Sequence, residues 1–132
     1  MGCVALKKAD LVNVKKVGMC AFADCELLTY VSMPIVEEIG MGAFSVSQFY
    51  LSSGYIEDGV APTFTTVTLP ETLTVLGEGA FAYCQGLQQV EIKGDLESIP
   101  TLGFAFCAKL ERVILPANGV AKIDDYAFSR CV

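Results

Sequence analysis

The sequence predicts an α/β solenoid of about five parallel coils. Each coil would carry one short strand on a common ribbon face, with short turns or helices elsewhere. Three observations lead there: a motif that recurs about every 23 residues, a set of positions that stay apolar in every copy, and the absence of any apolar run of the ~20 residues needed to span a bilayer. Just over half of the 132 residues are apolar and only 18% are charged, so a single packed domain over 1–132 is expected rather than a disordered chain.

The recurring mark is Phe followed three residues later by Cys. It occurs at Phe22/Cys25, Phe81/Cys84, Phe104/Cys107 and Phe128/Cys131, with Ser47 standing in for Cys after Phe44. The Phe spacings are 22, 37, 23 and 24. The long interval contains a 14-residue excess within an insertion at about 48–63, and removing it restores 23. An earlier partial unit begins at Cys3.

The remaining positions then align. After the Cys position come Leu6, Leu28, Phe64, Leu87 and Leu110, and three residues later Ala9, Val31, Val67, Val90 and Val113. Two further on stand Leu11, Met33, Leu69, Ile92 and Leu115, the last residues of period-two strands such as Val90–Glu91–Ile92. Pro34, Pro70 and Pro116 end three of these strands at a corner. A second apolar pair follows: Val14/Val17, Val36/Ile39, Leu73/Leu76, Leu96/Ile99 and Val120/Ile123. A small residue precedes each Phe: Ala21, Ala43, Ala80, Gly103 and Ala127. One such coil cannot bury its own apolar side; stacked coils can. At a strand spacing of ~4.8 Å, five coils make a rod or arc of roughly 25 Å.

The pattern F-x-x-C-x-x-L-x-x-V-x-L-P, followed by I-G-x-x-A-F, resembles the 23-residue BspA-like leucine-rich repeats. "AFADCELLTYVSMP", "AFAYCQGLQQVEI" and "FAFCAKLERVILP" carry it, over nearly all of 3–131. Ordinary leucine-rich repeats carry Asn or Cys at the positions of Val36, Thr72, Asp95 and Asn118, and the chain departs from them at the first three. The resemblance implies a non-enzymatic module of a surface or secreted, adhesin-like protein that binds another protein of unknown identity. The family says little about the particular partner. A cytoplasmic location is the alternative, since "MGCVALKKAD" lacks the apolar stretch of a secretory signal.

Composition narrows the chemistry. Histidine is absent, which removes His-based nucleophile pairs and His-ligated zinc, and neither catalytic residues, metal nor cofactor are expected. A net charge of −6 disfavours nucleic acid, and no membrane insertion is expected. Five cysteines share one repeat column, which points to small side chains buried in the core; disulfides remain the alternative. Cys20 and Cys25 lack the further ligands a metal pair needs. "GMGAF" and "GEGAF" fit turn geometry rather than phosphate binding. "MGCVAL" has Leu6 where an acylation signal carries Ser or Thr.

Residues flanking the inward Val of each strand must face out: Lys8/Asp10, Tyr30/Ser32, Thr66/Thr68, Gln89/Glu91 and Arg112/Ile114. They are expected to line up as one continuous ribbon and to form the binding surface, with Tyr30 and Arg112 as anchors. In the insertion, Tyr50 and Tyr55 are further candidate contacts, with Phe49 beside them. Glu57 and Asp58 lack the second acid, held across a cleft, that paired-carboxylate chemistry needs. Neither end of the repeat has a polar cap, so a longer array or end-to-end self-association is expected. A structural spacer is the alternative to a binding module.

Overall fold

The computed structural model describes residue 3, residues 5–46 and residues 61–131. Within them the chain winds into a stack of parallel coils in which two short strands per coil alternate with tight turns; the described residues contain no helix. The ribbon strands are β1 (Lys8–Asp10), β3 (Tyr30–Ser32), β5 (Thr66–Leu69), β7 (Gln89–Ile92) and β9 (Arg112–Ile114). The second strands, not foreseen from the sequence, are β2 (Lys16–Val17), β4 (Glu38–Ile39), β6 (Val75–Leu76), β8 (Ser98–Ile99) and β10 (Lys122–Ile123). They fall on the second apolar pair of each repeat.

Burial follows the period-two pattern. In β5, Val67 and Leu69 are buried while Thr66 and Thr68 are exposed, and β7 buries Val90 and Ile92 in register with them. Behind the strands runs a single row of phenylalanines. Phe22, Phe44, Phe81, Phe104 and Phe128 stack face to face at 5.2, 5.0, 5.4 and 5.6 Å, with ring planes within 7° of parallel. Phe44, Phe81 and Phe104 are fully buried. Parallel rings at this spacing gain stacking energy beyond the area they bury, about 0.5–1.5 kcal/mol per pair.

The Phe corner is built from alternating backbone directions. Residues two before Phe (Cys20, Gly42, Gly79, Leu102 and Tyr126) lie at φ near +60°, as do Asp24, Tyr83, Phe106 and Arg130 two after it. Their N–H groups and that of Phe reach the next coil, as in Gly79 to Thr101, Phe81 to Gly103 and Tyr83 to Ala105, at 2.8–3.1 Å. The intervening amides close local turns, as in Ala80 to Gly77 and Ala82 to Gly79. Coil is thus stitched to coil without a regular strand.

Two glycines set how closely coils approach. A Cβ on Gly40 would stand 2.6 Å from the Met19 nitrogen, and one on Gly77 would stand 2.4 Å from backbone atoms of Gly40 and Met41. Pro100 occupies the same position in the fourth coil. Gly40 and Gly77 donate their N–H to Val17 and Ile39 in the preceding coil, a bond Pro100 has no hydrogen to make. The second sheet accordingly divides into β2–β4–β6 and β8–β10. Ion pairs Lys15–Glu37 at 3.1 Å and Lys16–Glu38 at 2.8 Å cross the outer face of the first part; both are exposed and contribute little.

Candidate functional site

The ribbon residues face outward in two panels. In one, Thr66, Gln89 and Arg112 stand in register, with Thr68, Glu91 and Ile114 beside them on β5–β7–β9. In the other, Lys8 pairs with Tyr30 and Asp10 with Ser32 on β1–β3. Tyr30, Thr66, Thr68 and Arg112 are exposed, whereas Ser32, Gln89, Glu91 and Ile114 are half-buried. Tyr50 and Tyr55 lie outside the described residues. The continuous ribbon expected from the repeat is interrupted: no ladder joins β3 to β5.

The cause is a mismatch in residue count. Coils two and three are fastened at one side of the ribbon by the Thr63 N–H donating to the Leu28 carbonyl at 3.0 Å. They are fastened at the other by the Thr74 N–H donating to the Glu37 carbonyl at 2.9 Å and the Thr72 hydroxyl donating to the Val36 carbonyl at 2.9 Å. Eight residues lie between Leu28 and Glu37, but ten lie between Thr63 and Thr74. The longer segment bows out between these fastenings, and β3 and β5 form no ladder. Behind it the stack stays closed, since Phe44 and Phe81 remain 5.0 Å apart.

The bow opens a cleft of about 530 Å³ between the two strands. Tyr30, Ser32, Thr66 and Thr68 line it, with Pro70 and Lys93 at one end. Four of the predicted ribbon residues therefore meet in one concavity, while Gln89, Glu91, Arg112 and Ile114 extend the flat panel beside it. The cleft was not foreseen, although the sequence carries a signal for it. Met33 to Val36 and Leu11 to Val14 are three residues apart, whereas Leu69 to Leu73 and Ile92 to Leu96 are four. The units lengthen where the cleft opens.

Among the described residues the lining is uncharged between the strands, with hydroxyls from both walls and apolar surface from Val31 and Met33, and Glu71 and Lys93 stand at the proline end. Such a surface can hydrogen-bond and pack a ligand. The cysteines serve the stack instead. Cys84 donates to the Phe44 carbonyl at 3.3 Å, Cys107 to Phe81 at 3.2 Å and Cys131 to Phe104 at 3.1 Å, each to the preceding coil. Burial pushes the Cys84 and Cys107 thiols far up, with neighbouring thiols adding to the shift, so both stay protonated. On the opposite face, a hydrogen bond from Lys122 at 2.8 Å holds the Asp124 carboxyl below its usual range.

Comparison with known proteins places this geometry. A family model described as "BspA type Leucine rich repeat region" matches residues 1–63 and 61–132. The fold overlays a leucine-rich repeat protein from Bacteroides ovatus with a TM-score of 0.67 and 25% identity, covering 99% of this chain and 37% of that one. It also overlays a leucine rich cell surface protein from Faecalibacterium prausnitzii with a TM-score of 0.50 and 16% identity, covering 98% and 52%. In sequence the chain is 36% identical over 106 residues to a Trichodesmium erythraeum protein named 3-methyl-2-oxobutanoate hydroxymethyltransferase. That match takes in 75% of this chain and 38% of its relative. The chain thus spans well under two thirds of each of these proteins.

Proposed function

Because the chain belongs to the BspA type leucine-rich repeat family, we propose that it is a non-enzymatic protein-binding module that works through its ribbon face. One observation carries this reading: Tyr30, Ser32, Thr66 and Thr68 converge on a cleft that continues into the flat row of Gln89 and Arg112. A concavity beside a flat panel offers both an anchor pocket and contact area, and Tyr and Arg are the types that dominate hot spots. Catalysis is not part of the reading. The transferase name belongs to a protein of which this chain spans 38%, and the sequence contains no histidine. The Faecalibacterium relative is a cell surface protein. The location that fits this chain is likewise the cell surface, or the secreted space, with the cytoplasm as the alternative.

Simultaneous replacement of Tyr30, Gln89 and Arg112 by Ala tests the site. Capture of a partner from extracts of neighbouring or host cells should fall at least tenfold while the circular dichroism spectrum is kept. Unchanged capture would remove the ribbon as the binding surface. The alternative is a structural spacer, favoured by the backbone stitching around the Phe corner, which stiffens the stack along its axis. Immobilised folded protein that captures nothing from any extract would support it.

A further inference from the structure

The cleft is more than a depression between side chains, because it lies where a sheet ought to be continuous. In a parallel ladder the N–H and C=O of one residue point to the same neighbour, and successive residues alternate. In β7 the amide of Gln89 reaches back to Thr65 in the preceding coil, and that of Lys93 just beyond the strand reaches Leu69. By the same alternation Thr66 and Thr68, in register with Gln89 and Glu91, point their main-chain groups at coil two. On β3 the alternate residues, Val31 and Met33, point at coil three. Among the described residues no backbone hydrogen bond joins β3 to β5. Val31, Met33, Thr66 and Thr68 are all cleft-lining residues. Two facing strand edges thus present their hydrogen-bonding groups to one shared space.

We infer that this cleft receives a short extended peptide from a protein partner, which completes the ribbon by bonding to β3 on one side and β5 on the other. The inference rests on the ribbon reading above and specifies its ligand. Main-chain groups on both walls call for a ligand that itself carries alternating N–H and C=O groups, which is a strand. The seat is short, since hydrogen bonds close it at Leu28–Thr63 and at Val36–Thr72. It also fixes side-chain size. Leu28, Val67 and Leu69 are buried and Phe44 stacks on Phe81 behind the cleft, so residues pointing inward must be Gly, Ala or Ser. The absence of charge along the walls suits an uncharged segment, with Glu71 and Lys93 meeting whatever leaves at the proline end.

The probe is the pentapeptide acetyl-Thr-Gly-Thr-Gly-Thr-amide, titrated to 10 mM, roughly the upper end for weak strand addition, against the isotopically labelled chain. Amide exchange at Val31, Met33, Thr66 and Thr68 should slow at least fivefold at the highest concentration. Methylation of the two glycine nitrogens of the peptide should weaken binding at least tenfold. So should Thr68→Pro, which removes an edge N–H while leaving the β7 side of β5 its bonds. Unchanged exchange at those four amides, or equal binding of the methylated peptide, overturns the inference, including in the event that Thr68→Pro does not fold. Saccharide probes that shift the Tyr30 ring and threonine methyl resonances, with the four amides still exchanging freely and the peptide silent, would overturn it in favour of a glycan. The two readings fail separately. Loss of partner capture in the Tyr30, Gln89 and Arg112 variant with no amide protection leaves the ribbon standing and removes strand insertion.

Discussion

Replacing Gly77 by Ala adds one methyl group at the tightest point between coils. That methyl would lie 2.4 Å from the Gly40 carbonyl carbon and the Met41 nitrogen, both main-chain atoms that cannot swing aside. Reaching ordinary contact requires coils two and three to part by about 1 Å. Three hydrogen bonds cross the gap nearby: Gly77 to Ile39 at 2.7 Å, Phe44 to Ala80 at 2.8 Å and Gly42 to Glu78 at 3.0 Å. Opening each beyond bonding range costs about 1 kcal/mol. The variant should therefore be about 3 kcal/mol less stable, which lowers Tm by roughly 10 °C for a chain of this size. Gly18 occupies the same repeat position in the first coil, and a Cβ there meets nothing within 4 Å. Gly18→Ala should be neutral or stabilising by about 0.5 kcal/mol, because Ala restricts the unfolded chain. Urea titration followed by far-ultraviolet circular dichroism and by tyrosine emission reads both, the chain having no tryptophan. Equal midpoints for the two variants would refute the close approach of the coils.

Three further outcomes follow from the core. Phe81→Ala empties the centre of the phenylalanine row and should cost about 4 kcal/mol, whereas Phe128→Ala, at a half-buried ring, should cost about half as much in the same titrations. The Ser45 hydroxyl is fully buried with no hydrogen-bond partner among the described residues, and its repeat position is Ala at 23, 82 and 105. Ser45→Ala should accordingly stabilise by about 1 kcal/mol in thermal melts. Cys84 and Cys107 should resist a thiol-specific reagent at pH 8 until the chain is unfolded. Their thiols are raised by burial, so the folded protein retains protons that the unfolded chain releases near 9.0. The stabilisation is complete below that pH and declines as pH rises above it, which denaturation midpoints from pH 7 to 10 would record.

The stacking of this protein could be read from its sequence because stacking leaves a mark in every unit. Phe22, Phe44, Phe81, Phe104 and Phe128 recur at one position since a ring in the row must find another ring above and below. The inward Val of each ribbon strand recurs since both its neighbours are inward residues too. Two of the features missed arise from differences between units, and one from shortness. The second strands are only two residues long, too short for alternation to declare them, though their apolar members were in plain columns. The division between β6 and β8 was written at Pro100, whose ring removes the one N–H that its neighbours use. The cleft goes with a mismatch of two residues between its fastenings, one of them added between Leu69 and Leu73, a change that column alignment absorbs as a gap. A register that tolerates gaps finds the repeat and hides the cleft.

The unequal residue count between coils two and three behaves like an edge dislocation in a layered crystal. The extra material is confined to one side, because the phenylalanine side and the second-strand side hold their spacing and leave no room for slip. Misfit therefore cannot anneal by sliding one layer over the next, nor does it spread to layers farther along the axis. An array made this way can carry a concavity on one face while the phenylalanine row behind it is left as it was.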